Sequence, residues 1–139
     1  MTNNTKLSVR KVFCLYGGFV LLPLNIAVLI YCIFRVNLPP LLKLVWYLPP
    51  LKLDSRFDCL VYNLPDALWA FGFTSFLLIA CRRDSPMVRK LYLTVGFVLM
   101  IGLEVGQGRW FAGTYDPLDV VATVVGAGLA CVFLKRFVE

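Results

Sequence analysis

The chain has 139 residues, of which 60% are hydrophobic and 16% charged, and its formal net charge is +6. That leaves too little polar surface to coat a soluble globule of this size, which excludes an ordinary soluble domain and predicts an integral membrane protein. Most basic residues flank the apolar runs. The charge therefore fits contact with anionic lipid headgroups, and we expect no nucleic-acid partner.

The first apolar run covers residues 12–34, between Lys11 and Arg35. At about 1.5 Å per residue a helix of this length reaches about 34 Å, which is enough to cross a hydrocarbon core of about 30 Å. The run is too long for the apolar part of a signal peptide, and no A-x-A cleavage sequence follows it. We expect an uncleaved first span with a kink at Pro23.

The connection that follows, residues 35–62, carries two proline pairs around Trp46 and Tyr47 in "LPPLLKLVWYLPPLKL". Prolines stop a regular helix, and the segment between the pairs is too short to cross a membrane. Trp, Tyr and Lys favour the membrane interface. Two placements stay open, an outer interfacial loop lying on the leaflet or a loop packed over the helices.

Three shorter apolar runs predict further spans at about residues 63–82, 90–108 and 118–135. Their uncharged parts would form only about 20 to 23 Å of helix, so each span has to include a charged neighbour. Each run has a basic residue at one end and an acidic residue at the other. Lys and Arg can extend their long side chains to the interface, whereas Asp and Glu are short, so the acidic ends are expected to enter the membrane.

The distribution of basic residues predicts the topology. With four spans, both termini and the connection after the second span share a side that carries nine Lys or Arg, against five on the other side. The positive-inside rule then places both termini in the cytoplasm and gathers Asp66, Glu104 and Asp119 near the outer face. We therefore predict one domain, residues 1–139, an all-α integral membrane protein with an up-down bundle of four transmembrane helices.

Two stretches resemble helix starts. "NLPDAL" has Asn63 as a candidate N-cap with Pro65 and Asp66 in the first turn, and "YDPLDVV" has Asp116 and Asp119 in a parallel arrangement. Acids in a first turn interact favourably with the helix dipole. For Asp66 and Asp119 a purely capping role and a functional role both stay open, and Asp116 is interpreted as a cap.

Glu104 has no such explanation, because it lies near the carboxyl end of its span, where the helix dipole disfavours an anion. An ionisable residue inside a membrane indicates a functional site or a structural hydrogen bond between helices. Gln107 follows at i+3, so the two side chains share a helix face. Thr123 shares a face with Asp119 on the last span in the same way.

Small residues and aromatics near these positions are interpreted as packing. Gly102 and Gly106 form a G-x-x-x-G pair, and small side chains recur every four residues on the last span, which predicts close approach of helices. Trp69 and Phe73 are expected in the core or in the wall of the site. The five cysteines contain no C-x-x-C motif, and an internal disulfide framework is not expected. The recurring small residues of the last span are Ala122, Gly126 and Ala130.

The order of polar residues between residues 63 and 130 resembles the VanZ-like family of membrane proteins. Asp66 opens one span, Glu104 and Gln107 close the next as E-x-x-Q, and Asp119 follows 12 residues after Gln107 in "GTYDPLDVVATVVGAGLA". Thr123 stands where the family has Asn. The resemblance implies a cell-envelope protein in a bacterial cytoplasmic (inner) membrane. The family is named for a protein associated with low-level resistance to the glycopeptide teicoplanin. It implies no particular reaction.

The family also has an Arg in the polar turn before the last span, and here Arg109 is the nearest basic residue. The candidate ligand-binding residues are therefore Asp66, Glu104, Gln107, Asp119, Thr123 and Arg109.

The chain has no histidine, which excludes catalysis with a histidine base and histidine-based zinc sites. Carboxylates could act as acid and base, coordinate a divalent cation or receive polar head groups. No cofactor is expected, and no metal site is assigned.

Three functions stay open. The first is an acidic outer-leaflet pocket that binds an amphiphile, an envelope precursor or a glycopeptide-like antibiotic. The second is a membrane enzyme acting on lipid-linked substrates, and the third is a structural subunit of a membrane complex.

Overall fold

The computed structural model describes residues 8–34, 46, 49–51, 54, 57–107, 109–110 and 115–138. All regular elements in these ranges are helices. They are α1 (Val9–Tyr16), a π-helix (Gly17–Leu21), α2 (Leu22–Phe34), α3 (Asp58–Ala80), a 3₁₀ turn (Cys81–Arg83), α4 (Pro86–Gly106) and α5 (Pro117–Val138).

Three stretches of the described residues are long and apolar enough to cross a membrane: Val9–Phe34, Asp58–Arg83 and Pro117–Lys135. The prediction of an all-helical fold is thereby confirmed, and these three stretches suggest a membrane protein. The helix α4, with 21 residues, is not among the three.

The first span is one continuous helical stretch, Val9–Phe34, in which a π-helical turn separates α1 from α2. Pro23 lies two residues after that turn. A proline ring clashes with the carbonyl four residues earlier, here that of Phe19, and proline has no N–H to donate. The wider π turn, with its i to i+5 hydrogen bonds, therefore occupies the position where the sequence predicted a kink.

The helix α3 is the central element, since the first span, α4 and α5 all pack against it. Small residues lie at two of these crossings. A Cβ added to Gly72 would lie 2.9 Å from Leu24 Cγ and 3.3 Å from the Val20 carbonyl oxygen of the first span. A Cβ on Gly126 of α5 would overlap the backbone of Ala67, with the Ala67 carbonyl carbon only 2.8 Å away. The interpretation of Gly126 as a packing residue is confirmed.

The start of the first span, the end of α3 and the end of α5 meet in one apolar cluster. Its buried members are Leu15, Val20, Leu78, Ile79 and Leu134. The helix α4 begins at the same end, because only Asp84 and Ser85 separate it from the 3₁₀ turn. Basic residues therefore collect at this end, which we call the basic end; they are Arg10, Lys11, Arg82, Arg83, Arg89, Lys90 and Lys135.

The helix α3 begins earlier than predicted, at Asp58, so residues 58–62 belong to the helix and not to the preceding connection. The interpretation of Asn63 as an N-cap is wrong, and Pro65 lies inside the helix. An internal proline removes only one hydrogen bond from a helix that packing supports on several sides. Asp58 is the acid that lies in the first turn, where it interacts favourably with the helix dipole.

The helix α4 also begins earlier than predicted, at Pro86. Ser85 is its N-cap, and the Ser85 hydroxyl accepts a hydrogen bond of 3.4 Å from the Val88 N–H. Proline suits the first helical position, whose N–H has no partner within the helix. Arg89 and Lys90, which were expected at the border of this span, therefore lie inside its helix, in the second turn.

Most of the long connection lies outside the described residues, including 35–45, 47–48, 52–53 and 55–56. Its interfacial placement stays a prediction. Within it, the Leu51 N–H donates a 2.8 Å hydrogen bond to the Ile33 carbonyl, which ties this part of the connection to the end of α2.

Candidate functional site

The end opposite the basic end carries Asp66, Glu104 and Asp119, and we call it the acidic end. The helices α3 and α5 run in the same direction, because they meet at Ala67 and Gly126 and again in the apolar cluster at the basic end. Asp66 therefore lies beside the closest approach of the two helices. Thr123, only 2% exposed, lies about one turn nearer the acidic end on the buried face of α5.

The helix α4 runs antiparallel to α3, and its register places Glu104 opposite Asp66. A Cβ on Gly96 would meet Leu77 Cδ1 at 2.5 Å and Phe73 Cε1 at 3.2 Å. Glu104 lies about 12 Å beyond Gly96 along α4, and Asp66 lies a similar distance from Phe73 and Leu77 in the same direction. The two carboxylates are therefore at about the same level of the bundle.

The faces agree with this register. Asp66, Phe73 and Leu77 follow one another at i, i+7 and i+11, so Asp66 is on the side of α3 that packs against α4. On α4, Glu104 follows the buried Gly96 at i+8, on a neighbouring part of the same face. Each of these carboxylates lies on the side of its helix that meets the other helix.

Gln107 holds the carboxylate of Glu104. The Gln107 side-chain amide Nε2 donates a 2.6 Å hydrogen bond to Glu104 Oε2, and both residues are half-buried. Hydrogen bonds to a carboxylate are short and strong. The shared face predicted for this pair is confirmed, and Gln107, just beyond the end of α4, fixes the direction of the Glu104 side chain.

Asp116 caps α5, as predicted. Its Oδ1 accepts from the Leu118 N–H at 2.9 Å, and its carbonyl accepts from the Asp119 N–H at 3.1 Å. Asp119 is in the first turn, where the helix dipole favours an anion. It is half-buried on the same side of the helix as Thr123, about 10 Å nearer the acidic end than Gly126.

The capping role that the sequence left open for Asp66 is wrong. Asp66 lies more than two turns inside α3, so it neither caps the helix nor interacts with its amino-terminal dipole. It is half-buried, like Glu104 and Asp119. None of the three carboxylates is without an interaction partner.

Arg109 lies apart from the packed helix faces. It is exposed in the turn after α4, where its backbone N–H donates to the Gly106 carbonyl at 3.2 Å. Trp69 is 55% exposed, so its expected place in the core or the wall of the site is wrong. Phe73 is half-buried against Gly96, as expected. Arg109 is therefore at the rim of the acidic end, and Trp69 faces outward.

The G-x-x-x-G pair on α4 does not act as a unit. Gly106 is buried, but Gly102 is exposed and a Cβ added there would have no neighbour within 4 Å. A shallow apolar groove of about 350 Å³ runs past Gly102 between Phe97 and Val105. The groove lies on the side of α4 that faces away from α3, so the predicted close approach at Gly102 is wrong.

Asn63 is a polar residue at the acidic end that the sequence analysis did not assign to the site. It lies one turn before Ala67, on the side of α3 that packs against α5. Its side-chain amide donates a 2.7 Å hydrogen bond to the Cys59 carbonyl. The signal that could have found it is its position three residues before Asp66, which was interpreted as a helix start because Pro65 follows.

The chemistry of the acidic end is that of oxygen acceptors. It offers carboxylates, amide oxygens and the Thr123 hydroxyl, which accept hydrogen bonds from N–H and O–H groups. Within the described part of the chain, no group of three or more His, Cys, Asp or Glu is placed to hold a metal ion. The carboxylates thus share one end of the bundle without converging on a single point.

The fold and the site define a helical membrane protein with a polar, acceptor-rich end. Comparison of the chain with protein-family models, curated proteins and solved structures found no match.

Proposed function

We propose that this chain is a four-span membrane protein that binds the polar head of an amphiphile at its acidic end. The observation that carries the proposal is the position of Asp66 on α3 and Glu104 on α4. The two residues lie at about the same level of the bundle, each on the side of its helix that meets the other helix. Carboxylates are costly inside a membrane, and such residues mark binding sites or pathways when they face the interior of a bundle. The amide of Gln107, bonded to Glu104, adds a second polar group at the same level.

The helix α4 is the fourth span in this proposal. Its 21 residues reach about 32 Å, and it starts beside the end of α3 and runs back along it. Arg89 and Lys90 lie near its start, at the basic end, and Glu104 lies near its finish. With all the basic helix ends on one side, the positive-inside rule puts both termini in the cytoplasm and the acidic end in the outer leaflet.

The VanZ-like resemblance gives this proposal its setting, a bacterial inner membrane and the chemistry of the cell envelope. The residues that carry the resemblance are Asp66, Glu104, Gln107 and Asp119, and these lie at the acidic end, which supports the proposal. The ligand class is an envelope precursor or an antibiotic that resembles one. Its apolar part would stay among the lipid chains while its head enters between the helices.

The test is retention of a bound amphiphile by the purified protein. Native mass spectrometry of protein extracted in a mild detergent should show a retained amphiphile on the wild type. Glu104→Gln and Asp119→Asn should each lower that retention about tenfold, because an ionic hydrogen bond to the head is weakened.

Asp84→Asn is the matched control, since Asp84 is an exposed carboxylate at the basic end. It should retain the amphiphile like the wild type, and all three variants should reach the membrane at equal levels. Wild-type retention by both Glu104→Gln and Asp119→Asn would remove the proposal.

A further inference from the structure

Asn63 carries an acceptor that no described residue satisfies. Its side-chain Oδ1 is buried and has no hydrogen-bond partner there. The donating Nδ2 is held by the Cys59 carbonyl at 2.7 Å, with Cys59 Sγ a further 3.8 Å contact. Rotating the amide by 180° would face two acceptors against each other, so the orientation of the free oxygen is fixed.

The backbone beside Asn63 adds a second acceptor. Pro65 lies inside α3 and has no N–H, so the Val61 carbonyl lacks the donor that an α-helix normally supplies from four residues on. Buried carbonyl and amide oxygens are nearly always paired in folded proteins, with protein groups or with water. Two acceptors in one turn of α3 therefore call for donors from outside that turn.

Within the described residues, no side chain donates a hydrogen bond to Asn63 Oδ1. A carboxylate in its ionised form accepts hydrogen bonds and donates none, and the Thr123 hydroxyl has one proton and satisfies one acceptor at most. A ligand head with several N–H protons would meet this need. A positive charge on the same head would suit the carboxylates of the acidic end.

We infer that Asn63 is a ligand-binding residue of the acidic end and that the head it receives is a primary ammonium group. This inference rests on the proposed function, because it assumes that an amphiphile enters there. A primary ammonium offers both charge and N–H donors, whereas a quaternary ammonium offers charge alone. Asn63 therefore selects between two cations of equal charge.

Two phospholipids with identical acyl chains provide the probe. Phosphatidylethanolamine carries a primary ammonium, and phosphatidylcholine carries a quaternary one. Protein in mixed vesicles containing equal amounts of both is extracted, and the retained lipid is measured by native mass spectrometry. The wild type should favour phosphatidylethanolamine about tenfold, the effect of one hydrogen bond to a charged group.

Asn63→Leu should bring the ratio of the two retained lipids close to one. Asn25→Leu is the matched control. Asn25 makes the same backward bond in α2, from its Nδ2 to the Leu21 carbonyl at 2.7 Å. It is exposed, and its neighbour Leu24 packs at Gly72, about two and a half turns of α3 from Asn63. It should behave as the wild type.

An unchanged preference in Asn63→Leu would show that water satisfies the amide, and would overturn the inference while leaving the proposed function intact. A wild type that retains both lipids equally would also overturn it. A wild type that retains no amphiphile of any kind, from native membranes or from the vesicles, would overturn the proposed function as well.

Discussion

Two glycines in α5, two residues apart, have opposite surroundings. Gly126 lies directly against the Ala67 backbone, whereas a Cβ on Gly128 would meet nothing within 4 Å. Interfaces between membrane helices depend on such close approach, because lipid provides no hydrophobic force to join apolar surfaces. The absence of a side chain at Gly126 therefore allows the close spacing of α3 and α5, whereas at Gly128 it makes no difference to the packing.

Gly126→Leu should push α5 away from α3 and destabilise the protein by about 2 kcal/mol or more, because the obstacle is backbone and cannot rotate away. Thermal unfolding in detergent should show the lower midpoint. Gly128→Leu makes the same chemical change on the same helix and should leave the midpoint unchanged. Equal midpoints for the two variants would contradict the packing described for Gly126.

Asp116→Ala should cost about 1 kcal/mol of stability, because the Leu118 N–H would lose its acceptor at the start of α5. Asp116→Ser supplies another capping oxygen and should recover most of the loss. The unfolding midpoints of the two variants, measured side by side, check this. If the alanine and serine variants have the same midpoint, the side-chain oxygen of Asp116 is not what stabilises the helix.

Local spacing predicted part of the site and could not predict the rest. The pairing of Glu104 with Gln107 follows from i, i+3 geometry, and the cap at Asp116 follows from a motif confined to a few residues. The N-cap predicted at Asn63 and the capping role left open for Asp66 are wrong, because a proline near two polar residues fits a helix start and a helix interior equally well. The packing of α3 against three neighbouring helices decides that these residues lie in a helix interior. A few residues of sequence carry no information about that packing.

At the scale of the elements, α4 is the long helix whose side chains are least buried by the rest of the protein. Of its residues only Gly96 and Gly106 are buried, while large side chains on its other sides are exposed. In lipid an exposed apolar face is not a liability. The helix packs against both α3 and α5, and its short connection to the 3₁₀ turn joins it to the end of α3.

Nitroxide labels should reveal this difference between helices. In a background without the five native cysteines, a label at Val98 of α4, which is 62% exposed, should be mobile and accessible to dissolved oxygen. A label at Ala127 of α5, which is 6% exposed, should be immobile and protected. Equal oxygen accessibility at the two sites, measured by electron paramagnetic resonance in vesicles, would contradict the arrangement.

The bounds of the helices were predicted well where they depend on local sequence and poorly where they depend on tertiary packing. Hydropathy found the first span closely, because its apolar residues are uninterrupted between Lys11 and Arg35. It placed the start of α3 too late, since Pro65 and the polar residues around it interrupt the apolar run. Helix ends that contain charges or prolines are decided by packing and capping, which hydropathy does not measure.

At the scale of the whole molecule, charge is separated along the helix axes. The described basic residues of the helices lie mostly at one end, and Asp66, Glu104 and Asp119 lie toward the other. The order of charged residues in the sequence predicted this separation, because each short apolar run is bounded by opposite charges. The sidedness with respect to the membrane is a separate proposal, drawn from the positive-inside rule.

Cysteine labelling should test the sidedness and the fourth span together. Ser85 and Tyr115 are both exposed, and α4 is the helix between them. In a cysteine-free background, Tyr115→Cys should react with a membrane-impermeant maleimide added to intact cells. Ser85→Cys should react only after permeabilisation. Reaction of both from the same side would exclude α4 as a span, and the reverse pattern would invert the orientation.

The π-helical turn lets the first span tolerate the deletion of one residue, which the other helices have no such turn to absorb. A π turn holds one residue more than an α turn, so deleting a single residue within Gly17–Leu21 would restore ordinary α-helical bonding there. Leu15 on one side and Ala27 on the other would keep their present orientation toward α3. The same deletion elsewhere in the span would rotate everything beyond it by about 100°. Over evolutionary time, a gain or loss of one residue in this helix can therefore be accommodated here without rebuilding the packing.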